Sequence, residues 1–97
     1  IGETDLSIKN LNKAIDIDPN FTRAIVMRAY VYKESANYRK AIVDANKVLK
    51  LDPEHPYAFW IRGLAKQYIG FYDPCPDLKK ACDLGYGCED YKLWCTE

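Results

Sequence analysis

Apolar side chains return along this chain every three or four residues, the period of one helix face. Phe21 to Ser35 contains no Gly or Pro and places Ala24, Ile25, Ala29 and Tyr32 on one side. Ala41, Ala45 and Val48, with Ile42 and Leu49, draw the same stripe further on, and Leu6, Ile8, Leu11 and Ile15 draw it near the start. The pattern predicts helices over about 4–17, 21–35, 38–51, 56–69 and 74–84, with a short sixth over about 88–95. Asn37 and Asp73 are suited to cap helix starts, and Pro74 suits a first helical position. Gly85 suits a left-handed helix end.

The stripes belong to a longer period. Ile17-Asp18-Pro19-Asn20 returns as Leu51-Asp52-Pro53-Glu54, an offset of 34. Before them, Ile8-Lys9-Asn10-Leu11-Asn12-Lys13-Ala14-Ile15 aligns without a gap to Ile42-Val43-Asp44-Ala45-Asn46-Lys47-Val48-Leu49. A third copy, Cys75-Pro76-Asp77-Leu78-Lys79-Lys80-Ala81-Cys82, follows at an offset of 33. Met27-Arg28-Ala29 is answered by Ile61-Arg62-Gly63, again at 34. Small residues stand at Ala29, Gly63, Ser7, Ala41, Ala14 and Ala81, Tyr32 follows Ala29 by three, and Pro19 and Pro53 close two units. A helix–turn–helix period of this length with these marks resembles the tetratricopeptide repeat. The resemblance covers residues 2 to about 85. Ile25 and Phe59 stand where the family has a leading Trp, and Lys66 replaces the aromatic that Tyr32 supplies.

The resemblance implies an all-α fold, an α-solenoid of antiparallel helix pairs. Residues 1–19 would be the second helix of a truncated repeat, 20–53 a full repeat, 54–85 a shortened one and 86–97 a capping helix. In the family the first helices line a concave groove with residues that recur at fixed steps. Here those are Arg23, Val26, Tyr30 and Lys33, then Tyr57, Trp60, Leu64 and Gln67, with Tyr68 beside them. Trp60, Leu64 and Tyr68 would form one apolar stripe, suited to a peptide or a partner helix unless the C-terminal helix or a second copy covers it. Family members that grip a chaperone tail use Lys and Asn on this face. Val26, Tyr30, Trp60 and Leu64 depart from that pattern.

Cys75, Cys82, Cys88 and Cys95 cluster near the C-terminal end of the chain. Each pair seven apart lies on one helix face, about 10.5 Å apart along the axis. The turn Gly85-Tyr86-Gly87 joins the two helices, and facing positions of an antiparallel hairpin share one index sum. Cys75 with Cys95 and Cys82 with Cys88 share that sum, so two nested disulfides fit. Cys75 and Cys82 also occupy the columns of Ile8 and Ile42 and of Ile15 and Leu49, which in the family pack on the following helix. Four reduced core cysteines are the alternative. One zinc ion, with ligands at about 2.3 Å, does not span that separation.

The remaining chemistry is sparse. The single histidine, His55, lies in a turn between repeats and reads as exposed, far from the cysteines a Cys–His pair would need. No glycine-rich phosphate loop occurs, and Asp18, Asp52, Asp73 and Asp77 read as turn or helix-start residues. Fourteen basic and fourteen acidic residues cancel, which disfavours nucleic acid as a partner. No apolar run approaches the roughly 20 residues of a membrane span, and residues 1–20 lack a signal peptide's apolar core.

These features point to a non-catalytic protein–protein interaction scaffold without a cofactor. The alternative is a disulfide-stapled structural cap of a longer array, and a weaker one is a thiol–disulfide or metal-binding protein. The bare apolar face of residues 3–17 suggests a homodimer. Disulfides would place the chain in an oxidising, extracytoplasmic compartment, and free thiols in the cytoplasm.

Overall fold

The computed structural model describes residues 2–70 and 72–95. Ile1 of the first expected segment, Phe71 of the shortened repeat, and Thr96 and Glu97 of the last segment lie outside the described residues. Among the described residues six helices follow one another: α1 Gly2–Ile17, α2 Thr22–Glu34, α3 Tyr38–Leu51, α4 Pro56–Ile69, α5 Cys75–Asp83 and α6 Cys88–Cys95. Their boundaries fall close to those the apolar period predicts. Each helix packs on the next in sequence. α2 and α4 also touch each other, while α1, α3 and α5 stay apart from one another. One face is thus built from α2 and α4, the other from α1, α3 and α5. The stack measures 43 × 28 × 20 Å, elongated as an array of helix pairs should be.

Small residues hold the helices close. Ala29, Ala41, Ala45, Ala58, Ala65 and Ala81 are fully buried, interleaved with Ile25, Val48, Ile61 and Leu78. Burying each of the larger four stabilises the fold by about 1.5–3 kcal/mol. Gly63 is a tight contact: a Cβ there would meet Leu78 Cδ2 at 2.7 Å and Asp77 Cβ at 3.3 Å. The small-residue column of Ala29 and Gly63 therefore exists because the following helix crosses over it.

At the helix ends, local chemistry follows the sequence in most places. Asp73 Oδ1 accepts from the Cys75 backbone at 3.0 Å, the bond expected of it, while Pro74 has helical dihedrals but stands at the cap, one residue before α5 begins at Cys75. Gly85, at φ 98°, closes α5: Tyr86 N donates to Ala81 O at 2.8 Å and Gly85 N to Cys82 O at 2.9 Å. Asn37 precedes α3, but its side chain makes no capping bond and instead donates to Ser35 Oγ at 3.4 Å. His55 is no bystander: its Nδ1 accepts from the Ala58 backbone at 3.2 Å and caps α4.

The nested disulfides are present. Cys75–Cys95 joins α5 to the end of α6, with Cα atoms 5.6 Å apart, and Cys82–Cys88 closes the turn at 4.4 Å. All four cysteines are paired.

A candidate partner-binding face on α2 and α4

Two arginine clamps set the spacing of the helices that carry the face. Arg28 on α2 donates from Nε and Nη2 to both carboxylate oxygens of Asp44 on α3, each at 2.8 Å. Its remaining Nη1 reaches Asn12 on α1 at 2.8 Å. Arg62 on α4 repeats the device, with Asp77 on α5 at 2.8 and 2.7 Å and Asn46 on α3 at 2.8 Å. Each guanidinium thus ties its own helix to the helices before and after it, and the planar fork fits a carboxylate. Asp44 and Asp77 are buried. Burial alone pushes the Asp77 carboxyl up, but hydrogen bonds and charge from Arg62 and Lys66 outweigh it and hold it below the usual range. The hydrogen bond to Asp44 likewise raises Arg28 above its ordinary value, against the opposing effect of burial. These polar columns recur in the sequence in step with the repeat, a signal that the apolar period overshadowed.

On the α2–α4 face, aromatic rings form a continuous row. Tyr30 stacks toward Tyr57, with centroids 6.2 Å apart, and Tyr57 stacks on Trp60 at 5.3 Å. Tyr86, from the turn before α6, meets both edge-on, at 5.1 Å from Tyr57 and 5.3 Å from Trp60. Lys33 Nζ lies 5.1 Å from the Tyr30 centroid and 4.7 Å from that of Trp60, within cation–π range, and pairs with Glu34 at 2.8 Å. Trp60 Nε1 donates to Asp90 Oδ2 at 2.7 Å. Burial pushes the Tyr57 hydroxyl up to about 12, aided by Tyr86 and Tyr30, so it stays a neutral donor.

The expected groove residues divide. Arg23 and Tyr30 are exposed, and Tyr57, Trp60 and Gln67 are half-buried. Val26 and Leu64, at 6% and 5% exposed, belong to the interior, and Lys33 is buried beneath the rings. Tyr68 is exposed but stacks on Tyr38 of α3, with centroids 5.4 Å apart, and so leaves the row. The unbroken Trp60–Leu64–Tyr68 stripe therefore does not exist as a surface: four-residue steps drift around a helix of 3.6 residues per turn. Tyr86 and Asp90 complete the site and were missed, because nothing local in the sequence ties them to Trp60.

Across the molecule, clefts of about 530 and 480 Å³ open between α3 and α4 and between α1 and α3. Arg62 and Arg28 lie in their walls, already committed to the clamps. Among the described residues no group of three or more His, Cys, Asp or Glu is arranged to hold a metal ion. Likewise, no helix is long and apolar enough to cross a membrane.

The architecture defines an all-α array of stacked helix pairs whose alternate helices share a face. Residues 22–55, spanning α2, α3 and the turn into α4, match the family model of the tetratricopeptide repeat. The chain is similar to Tetratricopeptide repeat protein 28 of Mus musculus, 33% identical over 69 residues, which is 71% of this chain and 3% of that protein. It is similar to Protein SGT1 homolog of Oryza sativa subsp. japonica, 30% identical over 82 residues, 84% of this chain and 22% of that protein. A third relative is the UDP-N-acetylglucosamine--peptide N-acetylglucosaminyltransferase of Giardia intestinalis, 28% identical over 79 residues, 80% of this chain and 5% of that enzyme. The chain belongs to the tetratricopeptide repeat family. It spans between 3% and 22% of the length of these three relatives.

Proposed function

We propose that the chain is a non-catalytic scaffold that binds a peptide or partner helix along the α2–α4 face. The observation that carries this reading is the aromatic row: Tyr30 stands exposed at its open end, Arg23 is exposed on the same helix, and Tyr57 continues the row inward. Aromatic and Arg side chains on a rigid frame are the usual anchors of protein interfaces. The transferase named above does not extend this to catalysis, since the match covers a small share of that enzyme. His55 is engaged as a helix cap and the cysteines are paired, which supports a binding role over nucleophilic chemistry.

The test is a comparison of captured proteins. Tyr30→Ala should lose the partner that the unaltered chain retains, while Val43→Ala, an exposed position on α3, should keep it. Equal capture by both variants would refute the assignment. The disulfides favour an oxidising compartment. They equally support the second reading, that the α5–α6 hairpin caps an array, since both bonds fasten α6 to α5.

A further inference from the structure

We infer that the hairpin carrying α6 is an intramolecular ligand of the aromatic face, held there by its two disulfides and released when a dithiol reduces them. The inference rests on the reading of that face as a partner site.

α6 has eight residues and none is buried. Among the described helices its backbone lies close to α5 alone, and its Asp90 side chain reaches across to α4. A helix this short does not persist alone in water. Its two ends are fastened to α5 by Cys75–Cys95 and Cys82–Cys88. Leu93 and Trp94 remain exposed, so α6 builds no core of its own.

What the hairpin does touch is Trp60. Asp90 accepts the indole proton at 2.7 Å, and Tyr86 lays its ring edge against Trp60 and Tyr57. Gly87, at φ 73°, passes so close that a Cβ there would overlap the Trp60 ring. An aromatic and a carboxylate four residues apart thus occupy the face as a bound peptide would. The buried cluster of Ile25, Val48 and Ile61 lies among α2, α3 and α4, so lifting α6 away exposes Trp60 and Tyr57 without opening it.

The release step balances as thiol–disulfide exchange. A dithiol thiolate attacks one sulfur of a disulfide and expels the other cysteine as a thiolate, which takes a proton. The reductant's second thiol then closes its own disulfide and expels the remaining cysteine. Each disulfide consumes two electrons and two protons from one dithiol. The four cysteine residues are half-buried rather than enclosed.

Trp94→Phe leaves Trp60 as the sole tryptophan and permits a direct test. On reduction with dithiothreitol, acrylamide quenching of Trp60 should rise severalfold and its emission should move to the red. Far-UV helicity should fall by no more than the share of α6. Asp90→Ala, with both disulfides intact, should raise quenching by a smaller factor. Unchanged quenching after full reduction would overturn the proposal. So would collapse of the whole helical signal, since the bonds would then hold the fold and not a cover. The readout needs no partner. If Trp60 is uncovered while Tyr30→Ala leaves capture unaffected, the binding reading fails and the cover stands.

Discussion

Arg62 holds both carboxylate oxygens of Asp77 at 2.8 and 2.7 Å, one repeat after Arg28 takes the same hold on Asp44. The pair is a hinge pin between a helix on one face and a helix on the other. Asp77 is 5% exposed and is also reached by Lys66 at 3.0 Å.

Removing Arg62 leaves the buried Asp77 carboxylate with Lys66 in place of two cations and empties the fork's hydrogen bonds. Arg62→Met should therefore destabilise the fold by roughly 1–3 kcal/mol, read from urea unfolding. The pH dependence follows from the sign of the shift. The Asp77 carboxyl in the fold sits below its unfolded value, so its contribution is complete above the usual carboxylate range, about 4. It is lost as pH falls through the lower folded value. The stability gap between the unaltered chain and Asp77→Asn should therefore narrow on acidification. A gap that stays constant from neutral pH into acid would contradict the ion-pair account.

Ala36 ends α2 at φ 65°, a left-handed position that L side chains avoid. Ala36 N donates to Lys33 O at 3.1 Å and Asn37 N to Tyr32 O at 2.8 Å, the same closure that Gly85 makes at the end of α5. The conformation costs a non-glycine residue about 1–2 kcal/mol. Ala36→Gly removes that cost and adds some unfolded-chain entropy, about 0.4–1 kcal/mol in the opposite sense. The net gain should be roughly 0.5–1 kcal/mol, seen as a rise of a few degrees in melting temperature. A lowered melting temperature would show that the Ala36 methyl makes a packing contribution that its exposed position does not suggest.

The elements were readable because the apolar period and the recurrence of whole repeats reinforce each other at the same columns. Ala29, Ala41, Ala45 and Val48 stand out both by helical spacing and by repetition, and all are fully buried. The cysteine pairing was readable because antiparallel geometry and column position agree. The binding face was only half readable. Repeat register places Val26, Trp60, Leu64 and Tyr68 on one surface, but it does not fix how far a neighbouring helix overhangs them. Leu64 is covered, Tyr68 turns toward Tyr38, and Trp60 meets a segment far along the chain. Such contacts are tertiary and leave no local mark.

His55 caps α4 through its ring, a role Ser, Thr, Asp or Asn more often fills. His55→Ala should cost about 1 kcal/mol, and His55→Asp should restore most of it by supplying another acceptor at the helix start. Paired thermal melts decide the matter. If Asp is no better than Ala, the hydrogen bond to Ala58 is incidental.

α1 presents the clearest unmatched surface. In α3 the columns of Ala41, Ala45 and Val48 are fully buried. The corresponding positions in α1 are Ser7, Leu11 and Ala14, of which Ser7 is exposed and the other two only half-buried. The difference has a plain cause: α3 packs on both α2 and α4, whereas α1 packs on α2 alone. Leu6, at 58% exposed, and Ile17, at 85%, add apolar area to the same helix. Covering one such side chain is worth about 1.5–3 kcal/mol, enough in combination to drive association. The chain should therefore self-associate at micromolar concentration through α1, and Leu11→Glu should shift it to monomer in sedimentation velocity. Val43→Glu, at an exposed position on α3, should leave the distribution unchanged. A monomer at all concentrations would show that the α1–α2 contact suffices. Equal effects of the two glutamates would place the interface elsewhere than α1.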